Sequence, residues 1–301
     1  MNVIHATTPE WANSGATEIR DAFQSHGHAV AWIPERGPYE HLLDRPDLPG
    51  SAILFHHPTT LTEATAVRLR EAGASLFLWV WDALEPARAA WWYTSLLPHT
   101  HAFFACGAYL LDYWARQGAR GEVLRQGVLD IHTESPPADR ELPCVWAAMV
   151  GAHRAPILDG LTRALGPRLT IRRGGGNEDM VRETCALLQR ACCAVAPGSD
   201  TEQAHLVDFW SNRVYQILAN GALCLHEFTP GLGDFFEDRE HLVVWRTAEE
   251  LAACATYYLA HPVEARRIAE NGQRLVLAQH RFRTQAARLV RRIEHLMRKE
   301  W

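Results

Sequence analysis

The residues of this chain that are best suited to chemistry lie in the segment 208–236, DFWSNRVYQILANGALCLHEFTPGLGDFF. Its pattern predicts a helix that starts near Ser211 and ends at Gly221. A helix start offers unpaired backbone N–H groups and the positive end of a dipole, and Arg213 adds a full charge beside them. Gln216, one turn further on, adds an amide that can hydrogen-bond a diol. These groups predict a site for a sugar nucleotide, although an ordinary amphipathic helix with a surface arginine has the same spacing.

The residues around this helix predict where it begins and which element comes after it. Ser211 or Asn212 can cap its start, because a short side-chain oxygen accepts a hydrogen bond from a free backbone N–H group. Gly221 tolerates the left-handed backbone that a helix end needs. Residues 222–228 form an apolar run of strand length, and a proline and a glycine come next. The segment therefore predicts a helix that leads directly into a buried strand.

The same segment resembles the donor-binding element of group 1 glycosyltransferases of the GT-B fold, and it is most similar to the subgroup that resembles spore maturation proteins. The pattern of that subgroup is roughly S-x-R-x-x-E-x-x-A-x-G before an apolar strand. Here the pattern is represented by Ser211, Arg213, Gln216, Ala219 and Gly221. The similarity continues through residues 230–289, which resemble the C-terminal half of the family nearly end to end.

One departure from the family pattern bears on donor binding. The family usually has a glutamate where this chain has Gln216, so the E-x7-E pair of related enzymes reads Asp208-x7-Gln216 here. Glutamine accepts a ribose hydroxyl proton only through its carbonyl oxygen, and it carries no charge. We therefore expect donor affinity or nucleotide preference to differ from those of relatives that have the glutamate.

The resemblance implies an α/β protein with the GT-B fold, in which two Rossmann-like, doubly wound parallel-sheet domains face a cleft. It also implies transfer of a sugar from a nucleoside diphosphate sugar, such as a UDP- or GDP-sugar, to a hydroxyl acceptor, with no further cofactor. The acceptor domain is predicted at residues 1–138 and the donor domain at 139–301. The last helix of such enzymes often packs back on the first domain. The resemblance implies that the last helix of this chain can do the same.

Three glycine-bearing loops are further candidates for donor binding. Gly151, His153 and Arg154 follow a predicted strand, at the sheet edge where open α/β sheets bind ligands. The resemblance implies that Arg154 contacts the diphosphate, whereas a histidine in a loop is usually only solvated. Gly175 lies in a run of three glycines that resembles the family's loop near the base, and residues 13–15 resemble its loop near the phosphates. Residues 13–15 comprise Asn13, Ser14 and Gly15.

Transfer to a hydroxyl group with inversion needs a base, and the first half of the chain supplies three candidates. Asp82 directly follows the apolar strand that ends in Trp79-Val80-Trp81, and His56 and His57 end the neighbouring strand. Histidine suits the role because it titrates near neutral pH. A polar residue that merely caps the strand end is the alternative at each position.

No metal is implied by the sequence. Its 16 histidines are scattered, it has no H-E-x-x-H motif, and no Asp-x-Asp follows a strand. The helix dipole and the arginines are expected to stabilise the phosphate charge instead. Residues 13–15 are also too short for the dinucleotide fingerprint, which argues against a dehydrogenase.

The pattern of elements supports two domains built in the same way. Strand-like and helix-like segments alternate from residue 2 to a sixth strand predicted at 123–128, as expected for a doubly wound parallel sheet. A polar, proline-bearing stretch at 131–143 marks the predicted boundary. The alternation then restarts, and Thr247 and Glu250 form a predicted capping box. Another capping box, nearer the N-terminus, is predicted from Thr60 and Glu63.

Composition limits the compartment and the partners. Seven cysteines without metal-ligand spacing indicate a reducing compartment, and the chain shows neither a signal peptide nor an apolar run of ~20 residues, so we expect a cytoplasmic protein. A net charge of −5 gives no general preference for nucleic acid. Residues 280–299 nevertheless carry seven basic side chains and a single acid, Glu294. This pattern is typical of a solvated helix face, and a patch for a polyanion or an anionic membrane is the alternative.

The sequence leaves three other functions open. An epimerase or hydrolase on the same fold would use water in place of the acceptor. A binding module that keeps the donor site without turnover is favoured by Gln216. The basic segment 280–299 is compatible with a phage-type glycosyltransferase that acts on DNA bases. The sequence does not fix the oligomeric state, the sugar or the acceptor.

Overall fold

The computed structural model describes residues 1–7, 15–34, 37–56, 58, 60–81, 96–116, 118–133, 139–172, 177–198 and 208–299. The chain divides into two compact units. The first ends at Gln126 and includes the C-terminal residues from Arg283, and the second runs from Gly127 to Phe282. The predicted boundary, between residues 138 and 139, lies inside the second unit.

The first unit contains a parallel sheet with the strand order β2-β1-β3-β4-β5-β6. Its strands are β1 (Asn2–Thr7), β2 (Ala29–Pro34), β3 (Ala52–Phe55), β4 (Ser75–Val80), β5 (Ala102–Ala105) and β6 (Gly121–Val123). Its helices are α1 (Ala16–Ser25), α2 (Glu63–Glu71), α3 (Ala108–Ala115) and, from Arg283 onward, the C-terminal helix, whose full range is Phe282–Lys299. Strand β4 is buried at every position, as its apolar sequence SLFLWV requires inside a parallel sheet.

Two local predictions for the first unit are wrong. The sixth strand ends at Val123, and Val128 forms only an isolated bridge with Arg281. The reason is Gly127, where an added Cβ would lie 2.4 Å from the carbonyl oxygen of His280, so the chain passes against that backbone and does not extend the sheet. The cap of α2 is Thr62 and not Thr60, because the Thr60 hydroxyl donates to the carbonyl oxygen of Gly37.

The second unit has a parallel sheet with the order β11-β10-β9-β7-β8. Its strands are β7 (Leu142–Ala147), β8 (Leu169–Arg172), β9 (Ala191–Ala196), β10 (Leu223–Glu227) and β11 (Val243–Trp245). Its helices are α4 (Arg154–Leu165), α5 (Glu178–Arg190), α6 (Arg213–Ala219), α7 (Ala248–Ala260) and α8 (Pro262–Gln279), so the C-terminal helix is α9 (Phe282–Lys299). The Thr247 side chain caps α7 as predicted, by accepting from the Glu250 backbone N–H.

Helices cover both faces of this second sheet, which is therefore doubly wound. Val145 and Ala194 point to one face and pack in the same core as Val214 of α6. Trp146 points to the other face and packs in a second core with Leu161 of α4. This arrangement follows from the strand geometry, because successive side chains alternate between the two faces of a sheet. The carboxyl ends of these strands form the edge at which the candidate site lies.

Gly272 in α8 allows the closest approach of a helix to its surroundings in this unit. A Cβ added there would lie 2.2 Å from the carbonyl oxygen of His241 and 2.7 Å from Cδ2 of Leu218. We predict that Gly272→Ala lowers the free energy of unfolding by ~2–3 kcal/mol, because backbone atoms would have to move. Urea unfolding measures this change.

Gly160 in α4 provides the matched control for this substitution. A Cβ at Gly160 would meet nothing closer than Cβ of Ala248 at 3.4 Å, an ordinary contact. Gly160→Ala should therefore raise stability by ~0.5–1 kcal/mol, the usual gain from alanine inside a helix. Equal effects of the two substitutions would contradict the packing at Gly272.

Candidate functional site

The candidate site lies where the strand order of the second sheet reverses. Strand β8 lies on one side of β7 and strand β9 lies on the other. The connections that follow β7 and β9 therefore run in opposite directions from the carboxyl edge of the sheet. Open α/β sheets bind ligands at such a point. The loop after β7 contains Gly151 and His153 and leads to Arg154, the first residue of α4. The sequence-predicted residues 151–154 therefore stand at the switch point.

Arg154 is held in a defined position by backbone carbonyl groups. Its Nε and Nη2 atoms donate to the carbonyl oxygen of Gly198, at 2.9 and 2.6 Å, and Nη1 donates to the carbonyl oxygen of Met149, at 3.1 Å. Gly198 follows β9, so the guanidinium bridges the two loops that separate at the switch point. These bonds orient the positive charge without neutralising it.

Glu227, the last residue of β10, joins the same network. Its Oε2 accepts from the Gly198 backbone N–H at 2.6 Å, and its Oε1 accepts from Nε2 of His153 at 2.9 Å. The carboxylate side chain is only 8% exposed. Glu227 therefore fixes both Gly198, which holds Arg154, and the imidazole beside Arg154.

Arg213 brings a second guanidinium to this edge. Its pKa is lowered to about 10, first by burial and second by the positive charge of Arg154. Its Nε atom is buried and has no hydrogen-bond partner among the described residues. Two positive groups are thus held near each other, and one of them has an unused donor. Such an arrangement favours binding of an anion.

The helix that carries Arg213 starts differently from the prediction. Asn212 occupies the cap position of α6 with helical backbone angles and makes no side-chain capping bond. Its Oδ1 atom is buried without a partner in the described structure. The Ser211 carbonyl oxygen accepts from the Val214 backbone N–H, so the turn begins earlier and neither predicted side chain caps it. The end of the helix is as predicted, with Gly221 at φ 70°.

The side chains of Gln216 and Asp208 lie against other residues of the second unit. The Gln216 side chain is buried, and its Nε2 donates to Sγ of Cys185 on α5 at 3.4 Å. Its carbonyl oxygen takes no part in that bond. Asp208 is half-buried beside Gly231, where an added Cβ would lie 3.4 Å from Cβ of Asp208. A role of either residue in donor binding stays a prediction.

The first unit contains a buried histidine pair at the corresponding point of its own sheet, where the order reverses between β1 and β3. Nδ1 of His56 lies 3.0 Å from the carbonyl oxygen of Trp79, which can only accept, so Nδ1 carries the hydrogen. Nε2 of His56 then accepts from Nε2 of His5, at 2.8 Å. Because both nitrogens are engaged and the ring is 1% exposed, His56 is not placed as an accessible base.

Of the remaining candidate site residues, only Gly15 lies in the described part of the chain. Gly15 precedes α1 with φ 60°, a left-handed conformation that suits glycine at the start of this loop-to-helix turn. The other five candidates lie outside the described residues. They are Asn13, Ser14, His57, Asp82 and Gly175.

Glu227 is the site residue that the sequence-based prediction missed. The run 222–228 was interpreted as an apolar strand, yet a histidine and a glutamate stand at its end. A carboxylate is rarely buried unless it is hydrogen-bonded or paired, so an acid inside a strand of this kind is a usable signal. Its position at the carboxyl end of β10 points to the same sheet edge as residues 151–154.

We predict that Glu227→Gln lowers the free energy of unfolding by ~1–3 kcal/mol. The reason is that glutamine has one acceptor and one donor, whereas His153 and Gly198 both donate to this side chain. The surface residue Glu240, which pairs with exposed Arg267, is the control, and Glu240→Gln should cost less than ~1 kcal/mol. Chemical denaturation of the three proteins checks this, and an equal cost for both variants would contradict the network.

Two further classes of site can be assessed in the described part of the chain. Within those residues, no group of three or more histidine, cysteine, aspartate or glutamate side chains could hold a metal ion. None of the described helices combines the length and the apolar character that a membrane crossing requires.

Comparison with known proteins supports a relationship to glycosyltransferases. Residues 157–291 match a family described as glycosyl transferase-like. No curated protein sequence matches the chain.

Several solved structures share the fold along nearly the whole chain. Sucrose-phosphate synthase from Thermosynechococcus elongatus is similar with a TM-score of 0.69 at 12% identity, over 100% of both chains. HepE of Anabaena, solved in complex with UDP-glucose, is similar with a TM-score of 0.68 at 12% identity, over 98% of this chain and 99% of that one. A glycosyltransferase from Rickettsia africae has a TM-score of 0.65 at 10% identity, over 100% and 99%.

The fold is therefore the GT-B fold, as the resemblance of residues 208–236 implies. The two parallel sheets, of six and five strands, are those of this class. The fold and the family match over residues 157–291 are thus two findings that relate the chain to glycosyltransferases.

Proposed function

We propose that the protein is a glycosyltransferase that takes a sugar from a nucleoside diphosphate sugar and transfers it to a hydroxyl group, with Arg154 and Arg213 bound to the diphosphate. The pair of guanidinium groups is the observation that carries the proposal. Arg154 lowers the pKa of Arg213, and Nε of Arg213 is buried with no partner in the described structure. An anion bound between them would stabilise both charges and use the free donor.

The geometry of Arg154 suits stabilisation of a leaving group. Transfer breaks the bond between the sugar and the terminal phosphate, so negative charge develops on the diphosphate in the transition state. Arg154 is already oriented by Gly198 and Met149, and Gly198 is fixed by Glu227. A charge that needs no reorientation lowers the barrier more than a mobile one does. His153, held by Glu227, would lie beside the same phosphates.

The ribose and the acceptor would be bound by other residues. The Gln216 carbonyl oxygen and the buried Oδ1 of Asn212 are the groups that would accept ribose or sugar hydroxyl protons. Asp208, Ser211 and the glycine loops at residues 15, 151 and 175 complete the proposed donor site. The buried geometry of His56 directs the proposed base role to Asp82 or His57.

The proposal includes no resident metal, because arginines would neutralise the phosphate charge. The cytoplasm is the proposed location, on the grounds of the cysteine content.

A non-catalytic sugar-nucleotide-binding module is the second candidate. The observation that favours it is the amide of Gln216, which bonds to Cys185 where the related pattern has a charged carboxylate. Such a protein would bind the donor with the same two arginines. It would not release the nucleoside diphosphate.

Turnover separates these two functions. The protein is incubated with UDP-, GDP-, ADP-, CDP- and dTDP-sugars, each with and without a panel of sugar, glycan and hydroxymethylated-DNA acceptors, and the released nucleoside diphosphate is quantified. Release that depends on one donor and one acceptor supports the transferase. Release without acceptor indicates a hydrolase. Tight binding with no release under any condition would favour the binding module, and neither binding nor release would refute both.

A further inference from the structure

A cavity lies within the first unit, against the C-terminal helix α9. Its volume is about 390 Å³, which is in the range of small-molecule sites. Part of its wall is apolar and comes from Phe104 of β5, Val123 of β6 and Leu289 of α9. Val123 is 37% exposed, so an apolar surface is open to a ligand at the carboxyl end of the edge strand. This cavity involves none of the residues of the donor site.

The remaining wall of the cavity is strongly basic. Arg288, Arg291, Arg292 and His295 line it. They are spaced at i, i+3, i+4 and i+7, so they share one face of α9. Arg292 forms an ion pair with Glu122, the single acid that lines the cavity. The lining therefore carries three arginines against one carboxylate, and this excess of positive charge surrounds an apolar surface.

The acid on α9 does not compensate for this charge. Glu294 is bonded to two histidines of the first unit, with its Oε1 2.7 Å from Nε2 of His28 and 3.2 Å from Nδ1 of His26. Arg288 bonds only weakly to the neutral amide of Gln285, at 3.4 Å, and is otherwise exposed. Arg291 is also exposed. Arg288 and Arg291 thus line a concave surface, and neither forms an ion pair with another described residue.

We propose that this cavity binds a small organic phosphate, whose apolar group contacts Val123 and whose phosphate contacts Arg288 and Arg291. The planar guanidinium presents paired donors that match phosphate oxygens. The concave shape and the apolar wall favour a small molecule over a polymer, because a polyanion needs only a charged surface. The site is separate from the donor site and does not depend on the proposed function.

Phenyl phosphate is the probe that tests this proposal, with inorganic phosphate and phenol as its two halves. Ligand-observed NMR should give a Kd for phenyl phosphate of ~1 mM or tighter, and at least ~5-fold weaker binding of each half. Amide resonances of Val123 and Leu124 should shift in a labelled sample. Equal binding of phenyl phosphate and inorganic phosphate would overturn the role of the apolar wall.

Four variants test which residues bind the ligand and whether positive charge at the cavity favours binding. Arg288→Gln and Arg291→Gln should each weaken phenyl phosphate ~5–10-fold, through loss of a charge-assisted hydrogen bond. Glu122→Gln should tighten it ~2–5-fold, because it releases Arg292 from its ion pair. Exposed Arg298 lies on the same helix outside the cavity, and Arg298→Gln should change nothing.

These variants also decide between a small ligand and a macromolecule. If a single-stranded oligonucleotide or phosphatidylserine vesicles bind in an Arg291-dependent manner while phenyl phosphate does not bind, the proposal is wrong. An equal loss in Arg298→Gln and Arg291→Gln would show nonspecific attraction and would also overturn it. Arg288→Gln and Arg291→Gln should leave nucleoside diphosphate binding unchanged, so failure at this cavity is distinguishable from failure of the donor site.

Discussion

Replacement of Arg213 by glutamine is expected to lower kcat/KM for the nucleotide-sugar donor ~100-fold or more, without loss of stability in the absence of donor. The catalytic loss follows from removal of a guanidinium that would stabilise the leaving diphosphate. The loss should appear in kcat as well as in KM, because the charge on the diphosphate is largest in the transition state.

The stability of the same variant follows from the pKa of Arg213. Burial and the charge of Arg154 lower this pKa to about 10, so folding disfavours the charged form. An arginine whose pKa is lower in the folded state costs stability at every pH below that pKa, and the cost fades only as the pH rises above it. Arg213→Gln should therefore keep or raise the free energy of unfolding at pH 7, by up to ~1–2 kcal/mol after solvent screening.

An exposed arginine of the second unit serves as the control. Arg163 is exposed in the last turn of α4, the helix that begins with Arg154, and Arg163→Gln should change neither kcat/KM nor stability appreciably. The account is contradicted if Arg213→Gln retains full activity. A loss of activity that arises only from unfolding would also contradict it, and circular dichroism with urea titration detects that outcome.

Acidification from pH 7 to 5.5 is expected to lower the summed free energy of unfolding of the two units by about 4 kcal/mol. The cause is three buried histidines in which burial lowers the pKa, to about 3 for His5 and His132 and to about 4 for His226. In the unfolded chain these side chains titrate near 6.5. Below that value the unfolded state binds protons that the folded state does not.

The sign of this effect is fixed by the direction of the pKa shifts. Stability is lost as the pH falls below about 6.5, and the loss continues until the folded pKa values, near 3 to 4, are reached. Two of the three histidines, His132 and His226, belong to the second unit, so its unfolding should show the steeper pH dependence.

Urea titrations between pH 7 and 5.5 measure this dependence. His5→Gln keeps an Nε2 donor toward His56 and should remove about 1 kcal/mol of the pH-dependent loss in the first unit. Exposed His41 gives the comparison, and His41→Gln should leave the dependence unchanged. A free energy of unfolding that stays constant over this interval would show that the buried histidines are not kept neutral by the fold.

Much of the fold could be predicted because local signals and tertiary packing agree. The apolar strand predicted near Trp79 is β4, and it lies inside its sheet because its apolar sequence can be buried on both faces. The sixth strand is present, but it does not extend to residue 128 as predicted, because the backbone of His280, 153 residues later in the chain, lies against Gly127. A contact of that kind leaves no periodic pattern in the sequence.

Site residues could be predicted only where their position in a loop or at a helix start agreed with the family resemblance. Arg154 and Arg213 were identified from a strand-to-helix loop and from the family pattern, and the structure places them within electrostatic reach of each other. Glu227 was missed because its partners, His153 and Gly198, come from two other strand ends. The capping roles of Ser211 and Asn212 were wrong because the turn before α6 already has helical backbone angles, which direct the Asn212 side chain elsewhere.

Arg213 is proposed to bind the terminal phosphate of a nucleoside diphosphate. Calorimetric measurement of affinity tests this most directly, when the terminal phosphate of the ligand and the arginine of the protein are each removed. The nucleoside diphosphate that binds most tightly and its monophosphate are titrated into the parent protein, Arg213→Gln and Arg163→Gln. The account predicts that the parent and Arg163→Gln prefer the diphosphate by ~10–100-fold, and that Arg213→Gln loses most of this preference. A preference for the diphosphate that persists unchanged in Arg213→Gln would contradict the assignment of the diphosphate to this arginine pair.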